Sequence, residues 1–104
     1  MNLEKKGKGD EAKNALEKEL TFKAQMIRNK TVGELIGKDY FNLSEKELSS
    51  FVDLAVDADF EEAGDNDVVR FFESEFEKRG LKFEEKKIRD LMIKHFEEAY
   101  SKLK

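Results

Sequence analysis

Apolar residues recur at intervals of three and four along four stretches of the chain, and polar or charged residues fill the positions between them. This spacing is typical of amphipathic helices, because it gathers the apolar side chains on one face of each helix. No stretch shows the alternating apolar and polar pattern of a half-buried strand. We therefore predict an all-α fold, a four-helix bundle-like domain with a mobile N-terminal arm.

The first stretch is the longest and the least uniform. A helix is predicted from Asp10, which can cap it, to about Tyr40. Its apolar strip comprises Leu16, Leu20, Ala24, Ile27, Thr31 and Leu35, with Phe22, Met26, Gly33 and Ile36 on a neighbouring strip. Before Leu16 apolar residues are sparse, and Gly7 and Gly9 each cost a helix roughly 1 kcal/mol. We predict that residues 1–18 form a flexible interaction arm continuing into the first helix, and that residues 19–104 form the four-helix domain.

The other three helices have recognisable ends. Ser44 and Glu47 fit a capping box at the start of the second helix. Asp65 or Asp67 can cap the third helix, and Gly80 is placed to end it. The predicted buried positions are Leu48, Phe51, Val52 and Ala55 in the second helix, Val68, Val69, Phe71, Phe72 and Phe76 in the third, and Ile88, Leu91, Met92, His95, Phe96, Ala99, Tyr100 and Leu103 in the fourth. Phe60, between the second and third helices, is expected to pack inward.

The net charge of −4 is unevenly distributed. Residues 1–30 hold eight Lys and Arg against five Asp and Glu, a balance of +3, whereas residues 31–104 hold twelve against nineteen, a balance of −7. An acidic body would repel phosphates, so we expect no nucleic-acid partner. The sequence has no long apolar run and no apolar core of a signal peptide, which predicts a cytoplasmic protein that does not insert into a membrane.

The acidic connection after the second helix suggests a calcium loop at first sight. Asp57, Asp59 and Glu61 alternate like the first ligands of an EF-hand. However, Glu62 stands where the tight turn needs glycine, and Val68 stands where a bidentate glutamate is needed. We interpret this stretch as a solvated loop that leads into a helix cap.

No other pattern indicates an active site. His95 is the only histidine and the chain has no cysteine, so a typical zinc site is not predicted, and His95 is expected to be a hydrogen-bonded or edge-exposed core residue. The Arg28-Asn29-Lys30 cluster is interpreted as a solvated helix face. No glycine-rich phosphate loop follows a strand, and no serine or threonine has a nucleophile context. We expect a protein that is not an enzyme and has neither cofactor nor metal.

An ordered set of motifs resembles one family. It consists of Glu19-Leu20-Thr21-Phe22-Lys23-Ala24, Arg28-Asn29-Lys30, Ala58-Asp59-Phe60-Glu61-Glu62 with Gly64-Asp65 and Asp67-Val68, and Ile88-Arg89 with Met92. From about Asp10 to Tyr100 the chain resembles the zeta subunit of alphaproteobacterial F-type ATP synthases. The resemblance implies an inhibitor of ATP hydrolysis that is monomeric when free and lies peripheral to the inner membrane when bound to the synthase.

In that family an N-terminal segment, mobile when free, becomes helical as it enters an alpha/beta interface of the catalytic head near the gamma subunit. The resemblance places the corresponding partner-binding positions at Leu3, Glu11, Ala12, Lys13, Ala15, Leu16, Glu19 and Leu20. The family has a phenylalanine near the position of Asn14 and no counterpart of Gly7 and Gly9. The two glycines together cost about 2 kcal/mol in a folding-coupled arm, so we expect weakened potency.

One alternative to the inhibitor stays open on the sequence alone. The balance of −7 in residues 31–104 also suits a non-catalytic helical binding module whose acidic body docks a basic partner.

Overall fold

The residues that the structure describes form four helices. The computed structural model describes residues 2–59 and 65–104, with side chains from residue 16 onward. In chain order the helices are α1 (Asn2–Leu35), α2 (Glu45–Ala58), α3 (Asn66–Lys78) and α4 (Glu85–Leu103), and the described residues include no strand. The predicted all-α, four-helix fold is confirmed. The predicted inward packing of Phe60 concerns a residue outside the described ranges.

α1 starts earlier than the sequence predicts. It begins at Asn2, eight residues before Asp10, so Asp10 does not mark the helix start. Nucleation is the costly step of helix formation, whereas extension of an existing helix costs only the propensity of each added residue. The predicted mobile arm comprises residues 1–18. The side chains of residues 1–15 lie outside the described part of the structure.

The end of α1 agrees with the prediction. After Leu35 the chain makes a π-helical turn over Ile36–Tyr40, in which the Phe41 amide donates to the Ile36 carbonyl at 3.2 Å. Asn42 then takes a left-handed conformation with φ of 52°, which asparagine tolerates better than most residues. The chain thereby reverses direction and leads into α2.

α2 begins with the predicted capping box. Ser44 Oγ accepts a hydrogen bond from the Glu47 amide at 3.3 Å, and the Ser44 amide donates to Glu47 Oε1 at 3.2 Å. The side-chain and backbone hydrogen bonds from Ser44 lower the pKa of Glu47 below its usual value. The box therefore satisfies two donors that the first turn of a helix leaves without partners.

α3 ends as predicted at Gly80. This glycine has φ of 68°, and the Leu81 amide donates to the Phe76 carbonyl at 2.9 Å, as in a Schellman motif. A side chain at Gly80 would have to adopt a conformation that L-residues rarely take. The short connection then leads directly to α4.

The hydrophobic core lies between the C-terminal part of α1 and the other three helices. Its buried members are Val32, Ile36, Phe51, Ala55, Val68, Val69, Phe72, Phe76, Ile88 and Met92. Tyr40, Phe41, Phe71 and Phe83 pack against this cluster, and the rings of Phe41 and Phe76 meet edge to face with centroids 4.9 Å apart. Most of the buried positions predicted for α2, α3 and α4 are confirmed by this core.

The predicted buried strip of α1 is partly wrong. Ile27 is 43% exposed although the periodicity puts it on that strip, whereas Val32 is fully buried. The cause is the approach of α2 on the glycine side of α1, where a side chain at Gly33 would lie 3.4 Å from the Ala55 Cβ atom. The apolar periodicity gives little weight to glycine. The buried face that it predicts for α1 is therefore rotated away from the side on which α2 packs.

α1 also extends beyond the helices that cover it. Arg28 lies near Phe96 and Tyr40 lies near Lys87, so α4 runs antiparallel to α1. Leu103 is seven residues after Phe96, which brings the end of α4 level with about Thr21 of α1. We call residues 2–19 of α1, which precede this level, the projecting segment.

Candidate functional site

The projecting segment and Leu20, the residue that follows it, make up the predicted partner-binding residues. Of these, Leu16 is 56% exposed, whereas Leu20, at the edge of the bundle, is half-buried. Glu19 is exposed and pairs with Lys23 at 3.2 Å on the outer face of the helix. The side chains of the other predicted residues, Leu3, Glu11, Ala12, Lys13 and Ala15, lie outside the described part.

Leu16 and Leu20 are one helical turn apart, so they lie along the same side of α1. An exposed leucine at this spacing on a helix is what a hydrophobic groove of another protein recognises. The geometry thus offers an apolar ridge that continues from the bundle into the projecting segment.

A second feature lies just inside the bundle. Arg28 is only 2% exposed, and its guanidinium lies between the end of α2 and the start of α3. Nη1 is 2.9 Å from Asp65 Oδ1, Nη2 is 3.8 Å from Asp59 Oδ2, and Nε donates to Asn29 Oδ1 at 2.9 Å. We call Arg28, Asn29, Asp59 and Asp65 the Arg28 clamp.

The clamp concentrates acidic groups around one buried cation. Burial raises the pKa of Asp59 above its usual value, and this outweighs the lowering by the Asn29 amide and by the Arg28 guanidinium. The charges of Asp67 and Asp65 raise it further. Since ionised Asp59 is disfavoured where it lies, the arrangement is not one that maximises stability.

Asp65 and Asp67 do not cap α3 in the predicted way. Asp65 occupies the N-cap position, but its carboxylate pairs with Arg28 instead of accepting from an amide of the first turn. Asp67 is buried, and its Oδ1 accepts a hydrogen bond from the Val68 amide at 2.9 Å. The position of the cap is confirmed, whereas its predicted hydrogen bond is wrong because a buried cation competes for the carboxylate.

The structure brings together residues that lie far apart in the motif set. Arg28 and Asn29 come from one motif, and Asp59 and Asp65 come from another about thirty residues later. The interpretation of Arg28 and Asn29 as solvated is wrong, since Asn29 is also buried, at 1% exposure. Both residues turn inward because the acidic end of α2 and start of α3 pack against that face of α1.

The sequence carried one signal for this burial. Ala24 and Val32 flank Arg28 at four residues on either side, so Arg28 continues an apolar row of the helix. Of the other motif residues, Glu19, Phe22, Lys23 and Lys30 have exposed side chains. Phe60, Glu61, Glu62 and Gly64 also belong to the motif set and lie outside the described ranges.

An open groove of about 230 Å³ lies beside the clamp between α1 and α4. Gln25, Arg28, Met92, Ile93 and Phe96 contribute to its walls. Asp65 and Glu97 complete the walls, and none of these residues is a serine, threonine, cysteine, lysine or histidine that could act as a nucleophile beside a carboxylate base. The described residues contain no group of three or more His, Cys, Asp or Glu that could hold a metal ion.

His95 lies at the edge of the helix packing. Its side chain is 16% exposed, and Nδ1 is 3.4 Å from Glu98 Oε2 one turn along α4. This agrees with the predicted edge-exposed core histidine. Among residues 2–59 and 65–104, no helix has both the length and the apolar character needed to cross a membrane.

The fold defines a class, the small all-α proteins in which one helix extends past the bundle. A family model described as ATPase inhibitor subunit zeta matches residues 1–102. The chain belongs to this family, which confirms the resemblance read from its motifs. Family membership implies a regulatory, non-catalytic role as an ATPase inhibitor and binding to ATP synthase. No curated protein and no solved structure matches the chain.

Proposed function

We propose that this chain inhibits ATP hydrolysis by the F-type ATP synthase by inserting its N-terminal segment at a catalytic alpha/beta interface, near gamma. Residues 1–18 act as the inhibitory arm, and residues 19–104 form the domain that holds it. The free protein is a monomer in the cytoplasm and becomes peripheral to the inner membrane when it binds the synthase.

The observation that carries this proposal is the exposed apolar ridge on the part of α1 that α4 does not cover. Leu16 is 56% exposed in the free protein, although full burial of a leucine side chain contributes about 1.5–3 kcal/mol. A partner that covers this ridge gains that free energy without disturbing the core. The family's description as an ATPase inhibitor supports the synthase as the partner.

The sharpest test compares two leucines that are equally exposed in different places. The test substitution is Leu16→Glu on the projecting segment. The matched control is Leu54→Glu on α2, where the leucine is 53% exposed. We expect Leu16→Glu to raise the concentration needed for half-maximal inhibition of ATP hydrolysis at least about tenfold, because each 1.4 kcal/mol lost is a factor of ten. Leu54→Glu should change it less than about twofold.

A crosslinking experiment tests the site of insertion. A photoreactive residue in place of Ala12 should crosslink to an alpha or beta subunit of the cognate synthase. Equal inhibition by both glutamate variants, or crosslinks to neither subunit, would remove the arm from the mechanism.

The alternative of an acidic binding module predicts a different outcome. The basic partner would then bind the domain through residues 31–104, with their balance of −7, and the arm would be a passive tail. In that case Leu16→Glu would leave inhibition unchanged, and raised salt would weaken binding strongly.

A further inference from the structure

Arg28 of α1 has a charged or aromatic contact toward each of the other three helices. Its guanidinium contacts Asp59 at the end of α2 and Asp65 at the start of α3, and lies 6.0 Å from the centroid of Phe96 in α4. It lies only seven residues after Thr21, where the cover of α4 ends. The one buried cation of the described α1 residues is thus next to the base of the projecting segment.

Arg28 pairs with particular charged groups, whereas the apolar contacts around it have no particular partner. Its guanidinium lies 3.8 Å from a carboxylate at the end of α2 and 2.9 Å from one at the start of α3, so a rotation of α1 about its own axis would carry a buried cation away from its counter-ions. Apolar contacts depend on buried area and tolerate small rotations and slides. The clamp therefore restricts the direction of α1 more than the surrounding apolar contacts do.

The direction of α1 affects binding only if the projecting segment and the four-helix domain must contact the ATPase at the same time. Two linked contacts reinforce each other when their geometry allows simultaneous engagement, and the gain disappears when it does not. A small rotation at Arg28 is amplified along the projecting segment, whose eighteen residues span about 27 Å at the rise of an α-helix.

We propose that the Arg28 clamp is a positioning device, which holds α1 in the direction that lets its projecting segment and the four-helix domain engage the ATPase together. Arg28 is its central positioning residue, and Asp65 and Asp59 hold Arg28 in place. This inference rests on the proposed function, since it concerns how the arm is presented to the synthase.

The test uses distance measurements on the free protein. The chain has no cysteine, so Asn14→Cys and Lys86→Cys place one spin label on the projecting segment and one on α4. Double electron–electron resonance on the doubly labelled chain gives the reference distance distribution, whose width includes the predicted mobility of the arm. Adding Arg28→Met, which keeps an unbranched side chain but removes the charge, should broaden or shift it.

Arg79→Met is the matched control. Arg79 also pairs with a partly buried carboxylate, Glu75, at 3.2 Å. It stacks over Phe41 at 4.1 Å and lies 5.9 Å from the ring of Phe51, so it joins α3 to the chain reversal after α1 and to α2, away from the projecting segment. We expect Arg79→Met to leave the label distances unchanged. Asp65→Asn, at a carboxylate 42% exposed, repeats the test should Arg28→Met fail to fold, as judged by circular dichroism.

Inhibition of ATP hydrolysis by the unlabelled variants completes the experiment. Arg28→Met should inhibit at least about tenfold more weakly than the unaltered chain, within the range that lost simultaneous engagement produces, while Arg79→Met should inhibit normally. Unchanged label distances in Arg28→Met and Asp65→Asn would overturn the clamp, and so would altered distances with full inhibition. Failure of the unaltered chain to inhibit would instead overturn the proposed function, and the distances would still report on the clamp.

Discussion

At the scale of single residues, Arg28 has the most unusual environment in the described structure. It is buried with two carboxylates and an amide, yet it lies in a row of α1 that is otherwise apolar. A buried ion pair contributes little net stability, because the desolvation of both charges offsets their attraction. Removal of one partner is nevertheless costly, since the other charge is left buried.

The two carboxylates should therefore differ in importance. Asp65→Asn removes the charge of the closer partner, at 2.9 Å, and should lower the free energy of unfolding by about 1–3 kcal/mol, because the buried guanidinium loses its nearer counter-ion. Asp59→Asn removes a partner at 3.8 Å whose ionisation burial already disfavours, and should cost less than about 1 kcal/mol. Urea unfolding at pH 7 measures both, and a larger loss in Asp59→Asn would show that Asp59 is the principal partner.

The raised pKa of Asp59 also predicts a pH dependence. The stability that comes from protonated Asp59 is fully present below its usual pKa of 3.8. It is lost as the pH rises through the higher pKa that Asp59 has in the folded state. The amide side chain that replaces it in Asp59→Asn does not titrate. The difference in unfolding free energy, Asp59→Asn minus the unaltered chain, should therefore become more positive as the pH rises from about 3 to about 6.

Urea titrations at several pH values give that difference directly. Glu47, whose pKa is lowered, loses its contribution as the pH falls below 4.5, but it does so in both proteins and cancels from the comparison. A difference that stays constant or falls with rising pH would mean that burial does not dominate at Asp59.

At the scale of helices, the sequence predicted the buried residues of α2, α3 and α4, which are each covered on one face, better than those of α1, which is covered on two faces. α2, α3 and α4 each present one apolar stripe to the core, so periodicity found both the helices and most of their buried residues. α1 contacts α4 on one side and α2 on another, and its projecting segment passes the end of α4. Periodicity cannot show which of its apolar residues are covered, so it predicts Ile27 and Met26 inside although both are exposed.

The clamp was beyond sequence reasoning for a related reason. Arg28 and Asn29 read as surface residues because charged side chains are seldom fully buried. Their burial depends on carboxylates that only the packing of α2 and α3 brings to them. The motif resemblance marked these residues as belonging together, but nothing in their spacing predicted contact.

Two glycines of α1 and the turn that follows it provide a test of how closely α2 packs. Gly33→Ala places its new methyl group 3.4 Å from the Ala55 Cβ atom, an ordinary contact, and removes a glycine from a helix interior. We expect it to be neutral or stabilising by up to about 1 kcal/mol. In Gly37→Ala the methyl group would lie 2.5 Å from Leu48 Cδ1, so Leu48 must move, and a loss of about 1–3 kcal/mol is expected.

Thermal unfolding of the two variants is the measurement, and each serves as the control for the other because the substitution is the same. If Gly33→Ala were the more damaging change, the approach of α2 to α1 would be tighter near Gly33 than near Gly37.

At the scale of the whole molecule, α1 belongs to two parts of the protein at once. From Ala24 onward it supplies core residues, and before Leu20 its described side chains lie mostly in solvent. The charge changes sign a few residues later along the chain, since residues 1–30 are basic and residues 31–104 are acidic. The proposed function therefore predicts that folding and partner binding can be altered separately along this helix.

Deletion of residues 1–18 should show this separation. The described core begins at Ala24, so the truncated chain should keep its four-helix fold, and its free energy of unfolding should change by less than about 1 kcal/mol. Inhibition of ATP hydrolysis should be lost, because the segment proposed to enter the catalytic head is missing. Circular dichroism and urea unfolding report the fold, and steady-state hydrolysis by the cognate synthase reports inhibition.

The truncated chain also shows which part provides the affinity. If the domain binds the synthase by itself, an excess of truncated chain will compete with the full-length protein and relieve its inhibition. Without competition, the affinity comes mainly from the arm, and the domain contributes by holding α1 in its direction. A truncated chain that is folded and still inhibits fully would contradict the proposed role of the arm, whereas one that fails to fold would show that the projecting segment is part of the domain after all.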